Sequence, residues 1–258
     1  MEVLEILGCR LDLIDANAAT QRILTFAREG TGAQVVTLGT EMVVAAQKDE
    51  RFRSVVNGCA LSLCDTVGLL TIARRRGATL RERVTGVDLM ERLCAQASLA
   101  EGDGERIPVY FLGGAEGIAE DAAAVLEARF PGLAIAGARN GYFTDEQTPE
   151  VVAAIRRSGA KLLFAGLGSP RQELWLAQHL HETGCGAGIG VGGSLDVLGG
   201  RVERAPHVVR RLGLEWLYRL VKEPHRWRRQ LALPHFVWLV ALEGAGLRHR
   251  RKKGMASS

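Results

Sequence analysis

Lys161-Leu-Leu-Phe-Ala-Gly-Leu-Gly-Ser-Pro-Arg-Gln-Glu173 is the stretch that decides the fold. Its apolar half, Lys161 to Ala165, is long enough for one buried strand, and the glycines after it lead into a helix over Leu174–His181. The next apolar run, Gly186 to Val191, is again followed by glycines. Strands that alternate with helices in this way predict a parallel sheet that is covered on both faces.

The same alternation runs through the first 200 residues. Further strands are predicted over Val3–Leu7, Gln34–Thr37, Ala60–Cys64, Pro108–Leu112 and Leu133–Ala136. Helices are predicted over Asp15–Ala27, Thr40–Gln47, Val67–Ala73, Asp88–Leu99, Ile118–Phe130 and Glu150–Ser158. The predicted fold class is α/β, a Rossmann-like, mostly parallel sheet sandwiched by helices over 1–200. A C-terminal basic amphipathic helical appendage over 201–245 and a disordered basic tail over 246–258 complete the predicted organisation.

Composition indicates a globular cytoplasmic protein. The 258 residues are 47% apolar and include 31 Gly, which suits one large α/β domain with or without an appendage. We expect no membrane span, because no apolar stretch reaches the roughly 18 residues required, and no signal peptide, because acids stand where basic residues are needed. The five cysteines form no CxxC pair, so reduced buried thiols are expected rather than a zinc site.

Charge is divided unevenly along the chain. Residues 201–258 carry 14 Lys and Arg against 4 Asp and Glu, so the first 200 residues carry 19 against 25. An acidic body with a basic tail favours an anionic partner, which could be lipid headgroups, phosphates or nucleic acid.

Asp65 directly follows the predicted strand Ala60–Cys64. An acid at the end of a buried parallel strand lies at the carboxyl edge of the sheet, where open α/β folds hold their ligands. The alternative is that Asp65 only caps the helix that follows, since Asp is a favoured N-cap residue.

Three turns after strands are rich in glycine, at residues 113–117, 166–168 and 190–193. Glycine lets backbone N–H groups approach a phosphate closely, and the following helix adds the positive end of its dipole. Tight turn geometry is the alternative explanation. Neither GxxxxGK[ST] nor GxGxxG is present, so the turns predict a nucleotide or phosphate pocket without naming its class.

Ordered motifs along nearly the whole chain resemble one family. They are Arg83-Val-Thr-Gly-Val-Asp-Leu-Met90, Gly168-Ser-Pro-Arg-Gln-Glu173, Gly190-Val-Gly-Gly-Ser-Leu-Asp-Val-Leu-Gly-Gly200, Arg204-Ala-Pro206, Gly213-Leu-Glu-Trp-Leu-Tyr-Arg-Leu220 and Glu223-Pro-His-Arg-Trp-Arg-Arg229. Together they resemble the WecG/TagA/CpsF glycosyltransferases over roughly residues 5 to 240. Their number and order make the resemblance far more specific than a single glycine-rich loop.

The resemblance implies an activity and its partners. The family transfers a sugar from a UDP-sugar to a polyprenyl-diphosphate-linked sugar, in bacterial surface polysaccharide or teichoic acid linkage-unit synthesis. It inverts the anomeric centre, needs no metal, and uses no cofactor beyond the UDP-sugar donor. The expected location is peripheral, on the inner face of the cell membrane. A homo-oligomer is possible, and no nucleic-acid partner is expected.

The resemblance also implies roles for individual residues. Asp65 aligns with the proposed general base, Thr37 and Arg83 align with pocket residues, and Gln172 and Asp196 lie in signature segments. From the residues alone, Gln172 could instead complete the first turn of its helix, and Asp196 could be an N-cap. The remaining expected substrate contacts are the turn glycines Gly113, Gly114, Gly168 and Gly192 and the tail arginines Arg219, Arg226 and Arg229.

Two positions depart from the family pattern. Gly39 stands where Asn is common and Thr66 where Gly is common. Both adjoin the expected pocket, so they bear most directly on which sugar the donor carries.

The tail arginines support a phosphate site by their spacing. Arg219, Arg226 and Arg229 fall within an arc of roughly 80° on one helix face, although Pro224 could break that helix. Arginine forks suit a departing diphosphate, whereas a solvated basic face is the alternative. The apolar run Phe236–Leu242 could pack on the body, on a partner subunit or in the membrane interface. The basic run over 248–253 is expected to touch anionic headgroups.

Some patterns predict little. His179 and His181, two residues apart on a helix, point away from each other, and Arg74 to Arg76 is expected to be a solvated face. Two other functions stay open on the residues alone: a nucleotide-dependent oxidoreductase, and a non-catalytic module that binds a nucleotide or nucleic acid.

Overall fold

The computed structural model describes residues 1–99, 106–206, 209, 217, 218, 220 and 232–244. Its strands are β1 (Val3–Ile6), β2 (Cys9–Asp12), β3 (Ala33–Leu38), β4 (Leu61–Cys64), β5 (Val109–Gly113), β6 (Ile135–Arg139), β7 (Leu162–Gly166) and β8 (Ala187–Gly190). Its helices are α1 (Ala16–Glu29), α2 (Thr40–Ala45), α3 (Glu50–Gly58), α4 (Val67–Arg75), α5 (Gly86–Ala97), α6 (Ile118–Arg129), α7 (Thr148–Ser158), α8 (Arg171–Thr183), α9 (Ser194–Leu198) and α10 (Ala232–Gly244).

Six of the strands form one sheet in the order β4-β3-β8-β7-β5-β6, and all neighbours in it are parallel. The α/β fold predicted from the alternation of strands and helices is therefore confirmed. Most sheet residues of β4, β5, β7 and β8 are buried, as expected for strands with helices on both faces.

The N-terminal strand is the exception, because β1 does not enter this sheet. It pairs antiparallel with β2, and Leu7 and Gly8 turn the chain between them with φ angles of 53° and 79°. Positive φ at both central residues fits the hairpin turn whose twist matches two antiparallel strands. The prediction of a strand at Val3–Leu7 is correct in type, but it missed the partner strand.

The hairpin is anchored to the sheet by a buried carboxylate. Asp12 is fully buried, and its Oδ2 accepts a hydrogen bond of 2.8 Å from the Ser62 amide in β4. Its Oδ1 lies 2.8 Å from the Arg10 guanidinium, so the buried charge is paired.

The two faces of the sheet bury separate layers. Side chains of successive residues point to opposite faces, so Val35 joins a core with α1, α5, α6 and α9, while Val36 joins a core with the hairpin and α2 to α4. Helices α7 and α8 cover the other half of that second face, where residues such as Ile155 and Leu176 pack on Leu163 of β7.

The C-terminal helix α10 packs on the body. Phe236 is 1% exposed and Leu239 is buried, and both lie in the core that also holds Met42 of α2 and Leu69 of α4. Val237 and Trp238 remain exposed. The apolar run Phe236–Leu242 could pack on the body, on a partner subunit or in the membrane interface. The face that carries Phe236 and Leu239 packs on the body. None of the described helices is both long and apolar enough to cross a bilayer.

The five cysteines are buried and unpaired with one another, as predicted. Burial raises the pKa of the Cys59 and Cys64 thiols to about 12, so these thiols are protonated and inert near neutral pH.

Candidate active site

A cavity of about 720 Å³ opens at the carboxyl ends of β3, β4 and β8. Its floor comes from the residues that follow these strands, and α10 forms an apolar wall opposite. Among the polar and charged residues that line it are Thr37, Glu41, Asp65, Thr66, Arg75, Arg83, Thr85, Ser169, Gln172 and Ser194.

The strand order explains why the cavity lies there. After β3 the chain enters α2 on one face of the sheet, whereas after the adjacent strand β8 it enters α9 on the other face. Loops that leave two adjacent parallel strands in opposite directions open a crevice between them, which is where open α/β sheets bind ligands.

Asp65 lies in this crevice, directly after β4. Its backbone N–H donates to Leu38 O at 3.0 Å, and its Oδ1 accepts a hydrogen bond of 3.2 Å from the amide of Gly86, the first residue of α5. The N-cap of the helix that follows Asp65 is Thr66, so the capping role considered for Asp65 at α4 is not what the structure has. The carboxylate instead lies at the N-terminal, positive end of the α5 dipole.

The first turn of α5 is held in place by its own sequence. Thr85 is the N-cap, and its hydroxyl bonds to both the amide and the carboxylate of Asp88. A β-carbon on Gly86 would lie 2.7 Å from Ser194 Oγ and 3.2 Å from Val191 O, so only glycine lets α5 approach the turn after β8 this closely. Arg204 pairs with Asp88, which ties the segment after α9 to the same turn.

Thr37 also lines the cavity, near the end of β3. Its hydroxyl donates to Gly190 O at 2.9 Å, across to the end of β8. This bond holds the two strand ends between which the crevice opens.

Gln172 binds the turn that follows β8 through a hydrogen bond. It is buried, and its Oε1 accepts a hydrogen bond of 3.0 Å from the Gly192 amide. Its Nε2 donates to Glu173 Oε1 at 2.6 Å. Gln172 lies in the first turn of α8, as the alternative to a substrate contact predicts, and it also lines the cavity.

Glu173 is the buried carboxyl behind Gln172. It is 1% exposed, and its Oε2 has no hydrogen-bond partner among the described residues. Burial raises the pKa of the Glu173 carboxyl, and the nearby charge of Glu41 raises it further, against the hydrogen bonds from Gln172 and Ser169. Glu173 therefore takes its neutral form more readily than an ordinary glutamate does.

Two arginines bring positive charge to the cavity. Arg83 lies there as predicted, and Arg75 is exposed, as predicted for a solvated face, but also lines the cavity. Of its neighbours, Arg74 donates to Leu80 O at 3.1 Å and Arg76 pairs with Glu243. The spacing of Gly68, Thr71, Ile72 and Arg75 on one face of α4 was the signal that could have found it, since all four line the cavity.

Gly113, Gly114 and Asp196 are not among the described residues that line the cavity. β5 lies two strands from β8, and Gly113, at φ 146°, packs against Gly166 so closely that a β-carbon would collide with that backbone. Asp196 is the third residue of α9, whose N-cap is Gly193, so Asp196 is not the cap either. Gly168 and Gly192 do line the cavity, and Arg219, Arg226 and Arg229 lie outside the described residues.

Residues 4–251 match the model of the glycosyl transferase WecG/TagA/CpsF family. The chain belongs to this family. A glycosyltransferase therefore replaces the oxidoreductase and the non-catalytic binding module that the residues alone had left open.

Two relatives carry the same description. A protein of Bacillus spizizenii, called N-acetylglucosaminyldiphosphoundecaprenol N-acetyl-beta-D-mannosaminyltransferase, is 32% identical over 245 residues, which is 94% of this chain and 90% of the relative. A protein of Bacillus subtilis with the same name is 32% identical over 212 residues, or 82% of this chain and 80% of the relative.

The two positions at which this family member departs from the common pattern lie side by side. Gly39 and Thr66 both line the cavity, and a β-carbon on Gly39 would be 3.6 Å from Thr66 Cγ2. The Thr66 hydroxyl is buried without a hydrogen-bond partner among the described residues.

The arrangement combines three chemical capacities in one cavity. A carboxylate lies at a helix N-terminus, guanidinium groups lie within reach of the same space, and an apolar wall excludes water from one side. Within the described ranges, no group of three His, Cys, Asp or Glu side chains is placed to hold a metal ion.

Proposed function

We propose that this chain transfers an N-acetylhexosamine from a UDP-sugar to polyprenyl-diphosphate-linked N-acetylglucosamine, with inversion and without a metal ion. The observation that carries the proposal is the meeting of Asp65, Arg83 and the glycine turns at 168 and 192 in one cavity. The names of both relatives support N-acetylmannosamine as the first donor sugar to test.

In the proposed reaction Asp65 acts as general base. The carboxylate takes the proton of the acceptor hydroxyl while that oxygen attacks the anomeric carbon of the donor. The bond from the anomeric carbon to the phosphate oxygen breaks on the opposite side, and its electron pair leaves with UDP. One displacement of this kind inverts the anomeric centre. The hydrogen bond from the Gly86 amide supports the role, because it orients the carboxylate.

The departing diphosphate needs positive charge as its bond breaks. Arg83 in the cavity supports a protein-based neutralisation, since arginine forks match phosphate oxygens. Arg219, Arg226 and Arg229, which lie outside the described residues, are proposed to complete this charge. Because these arginines would supply the positive charge, we propose that the transfer needs no metal ion.

The proposed acceptor sets the location. A polyprenyl chain resides in a bilayer, so the enzyme is proposed to work at the inner face of the cell membrane. Its basic C-terminal residues and the exposed Val237 and Trp238 of α10 support contact with that surface. A homo-oligomer remains a prediction.

A transfer assay tests the proposal. Purified protein is incubated with radiolabelled UDP-sugars and a short-chain polyprenyl-diphosphate N-acetylglucosamine, with and without EDTA, and the anomeric configuration of the product is determined. We expect transfer that survives EDTA and inverts the donor. No transfer from any UDP-sugar, complete loss under EDTA, or retention of configuration would each contradict the corresponding part of the proposal.

A further inference from the structure

Helices α4 and α10 meet through side chains near both of their ends, and they run in the same direction. At their N-terminal ends, a β-carbon added to Gly68 would be 3.5 Å from Leu233 Cδ1 and 3.8 Å from Phe236 Cε1. At their C-terminal ends, Arg76 pairs with Glu243. The eight residues from Gly68 to Arg76 correspond to about 12 Å of helix, which is the distance along α4 between these two contacts.

The surface between these helices is continuous with the cavity. On α4 it carries Thr71, Ile72 and Arg75, and on α10 it carries Val237, Val240 and Ala241, all of which line the cavity together with Asp65. We call these six residues the α4/α10 groove. Five of them offer methyl or methylene surface, and the sixth is a cation at the C-terminal end of α4.

This composition differs from the other end of the cavity. The strand ends present Thr37, Asp65, Gln172 and backbone amides, which suit sugar hydroxyls and a nucleotide. The groove presents hydrocarbon with a single guanidinium, which does not suit a nucleotide base or a sugar. A molecule with an anionic group joined to a hydrocarbon chain matches both features.

We propose that the α4/α10 groove binds the acceptor's lipid end, with Arg75 on its diphosphate and the first isoprene units along Val237, Val240 and Ala241. This rests on the proposed function, because the polyprenyl-diphosphate acceptor is the substrate that has such an end. The acceptor sugar then points from the groove to Asp65, and the exposed Val237 and Trp238 continue the hydrocarbon path toward the bilayer. Arg75 is thus a binding residue for the acceptor, distinct from the cations proposed for UDP.

The test uses two variants in the exposed part of the groove and one matched control. Arg75→Gln removes the charge, and Val237→Asn makes the hydrocarbon wall polar at a side chain that is 57% exposed, so neither is expected to affect folding. Arg157→Gln removes an exposed arginine from α7, outside the cavity lining. Each protein is assayed with long-chain and short-chain polyprenyl-diphosphate N-acetylglucosamine, and melting temperature is recorded.

Arg75→Gln is expected to raise the acceptor KM about tenfold at both chain lengths, because a charge-assisted hydrogen bond to phosphate is lost, and to leave the donor KM unchanged. Val237→Asn is expected to raise the acceptor KM about fourfold at both chain lengths, because both acceptors carry the first isoprene units and lose hydrocarbon contact there. The control should match the unmodified protein. An unchanged acceptor KM in Arg75→Gln, or a rise in donor KM instead, overturns the inference.

A binding measurement separates this inference from the proposed function. A fluorescent isoprenyl diphosphate that carries no sugar is titrated against each protein, and its anisotropy is followed. Weaker binding by about tenfold in Arg75→Gln supports the groove even if no sugar is transferred. Equal binding by both proteins refutes the groove, and transfer by the unmodified protein would then leave the proposed function intact.

Discussion

The Gly86 amide donates a 3.2 Å hydrogen bond to Asp65 Oδ1, which joins the acid at the end of β4 to the first turn of α5. The two residues are 21 positions apart, and the loop between them carries Arg83. The contact fixes the carboxylate and the arginine within one cavity.

Asp65→Asn is expected to lower kcat for sugar transfer by about 10²–10⁴-fold, because an amide cannot accept the proton of the attacking hydroxyl. The amide oxygen can still accept the bond from Gly86, so melting temperature and UDP affinity should change little. The measurement is initial rate at saturating donor and acceptor.

Asp121→Asn serves as the control for Asp65→Asn, since Asp121 is an exposed acid in the first turn of α6. Full activity in Asp65→Asn would remove Asp65 from the mechanism.

Gln172→Ala is expected to destabilise the fold by about 1–3 kcal/mol, because it leaves the Gly192 amide and the Glu173 carboxyl without their buried partner. Urea unfolding measures the change. Since the turn after β8 also borders the cavity, the donor KM should rise as well.

Gln178→Ala, at an exposed position of the same helix, controls for loss of a glutamine side chain. Equal stability of the two variants would show that the Gln172 contacts contribute nothing.

Glu173→Gln is expected to increase stability at neutral pH. The pKa of Glu173 is raised in the folded protein, so between its ordinary value and its folded value the unfolded chain releases a proton that the folded chain retains. The stability of the unmodified protein therefore falls as pH rises through this window, and the variant lacks that loss.

Thermal unfolding between about pH 4 and pH 8 measures the difference, which should narrow toward the acidic end. A constant difference across the range would mean that ionisation of Glu173 does not limit stability.

Thr66 allows shape and hydrogen bonding to be separated. Thr66→Val keeps the methyl group near Gly39 and removes the buried hydroxyl, while Thr66→Ser keeps the hydroxyl and removes the methyl group. If the hydroxyl meets a polar group of the donor sugar, Thr66→Val should lower the donor kcat/KM about tenfold.

Thr66→Ser should then retain that rate and accept a wider range of UDP-sugars, because removal of a methyl group relaxes discrimination by about 10-fold. The comparison uses kcat/KM over a panel of donors. If Thr66→Val instead keeps the donor kcat/KM and Thr66→Ser lowers it, the specificity depends on the methyl group and not on the hydroxyl.

The alternation of strands and helices was enough to predict the α/β class, because periodicity and length report burial directly. The same reasoning missed β2 and α3, where four-residue alternation and a polar helix give weak signals. Sequence reasoning could not predict the order of the strands in the sheet, because each strand of a parallel sheet carries similar apolar residues.

The candidate site shows the same division. Asp65 could be placed at a strand end from sequence, and the cavity contains it. In the sequence Gly113 is equivalent to Gly168 and Gly192, because all three lie in glycine-rich turns after strands. The strand order β8-β7-β5 is what places Gly113 away from the cavity. Arg75 could be recognised as a cavity residue only from the structure, where α10 lies opposite α4. The contact between Arg76 and Glu243 that joins these segments spans 167 positions of the sequence.

That last contact has a consequence during synthesis. The six sheet strands have all been synthesised by residue 190, while the helix that walls the cavity begins more than forty residues later. A nascent or prematurely terminated chain can therefore build its sheet and still lack an enclosed reaction chamber. In such a chain the site that holds Asp65 would be open to water on the side where α10 otherwise lies.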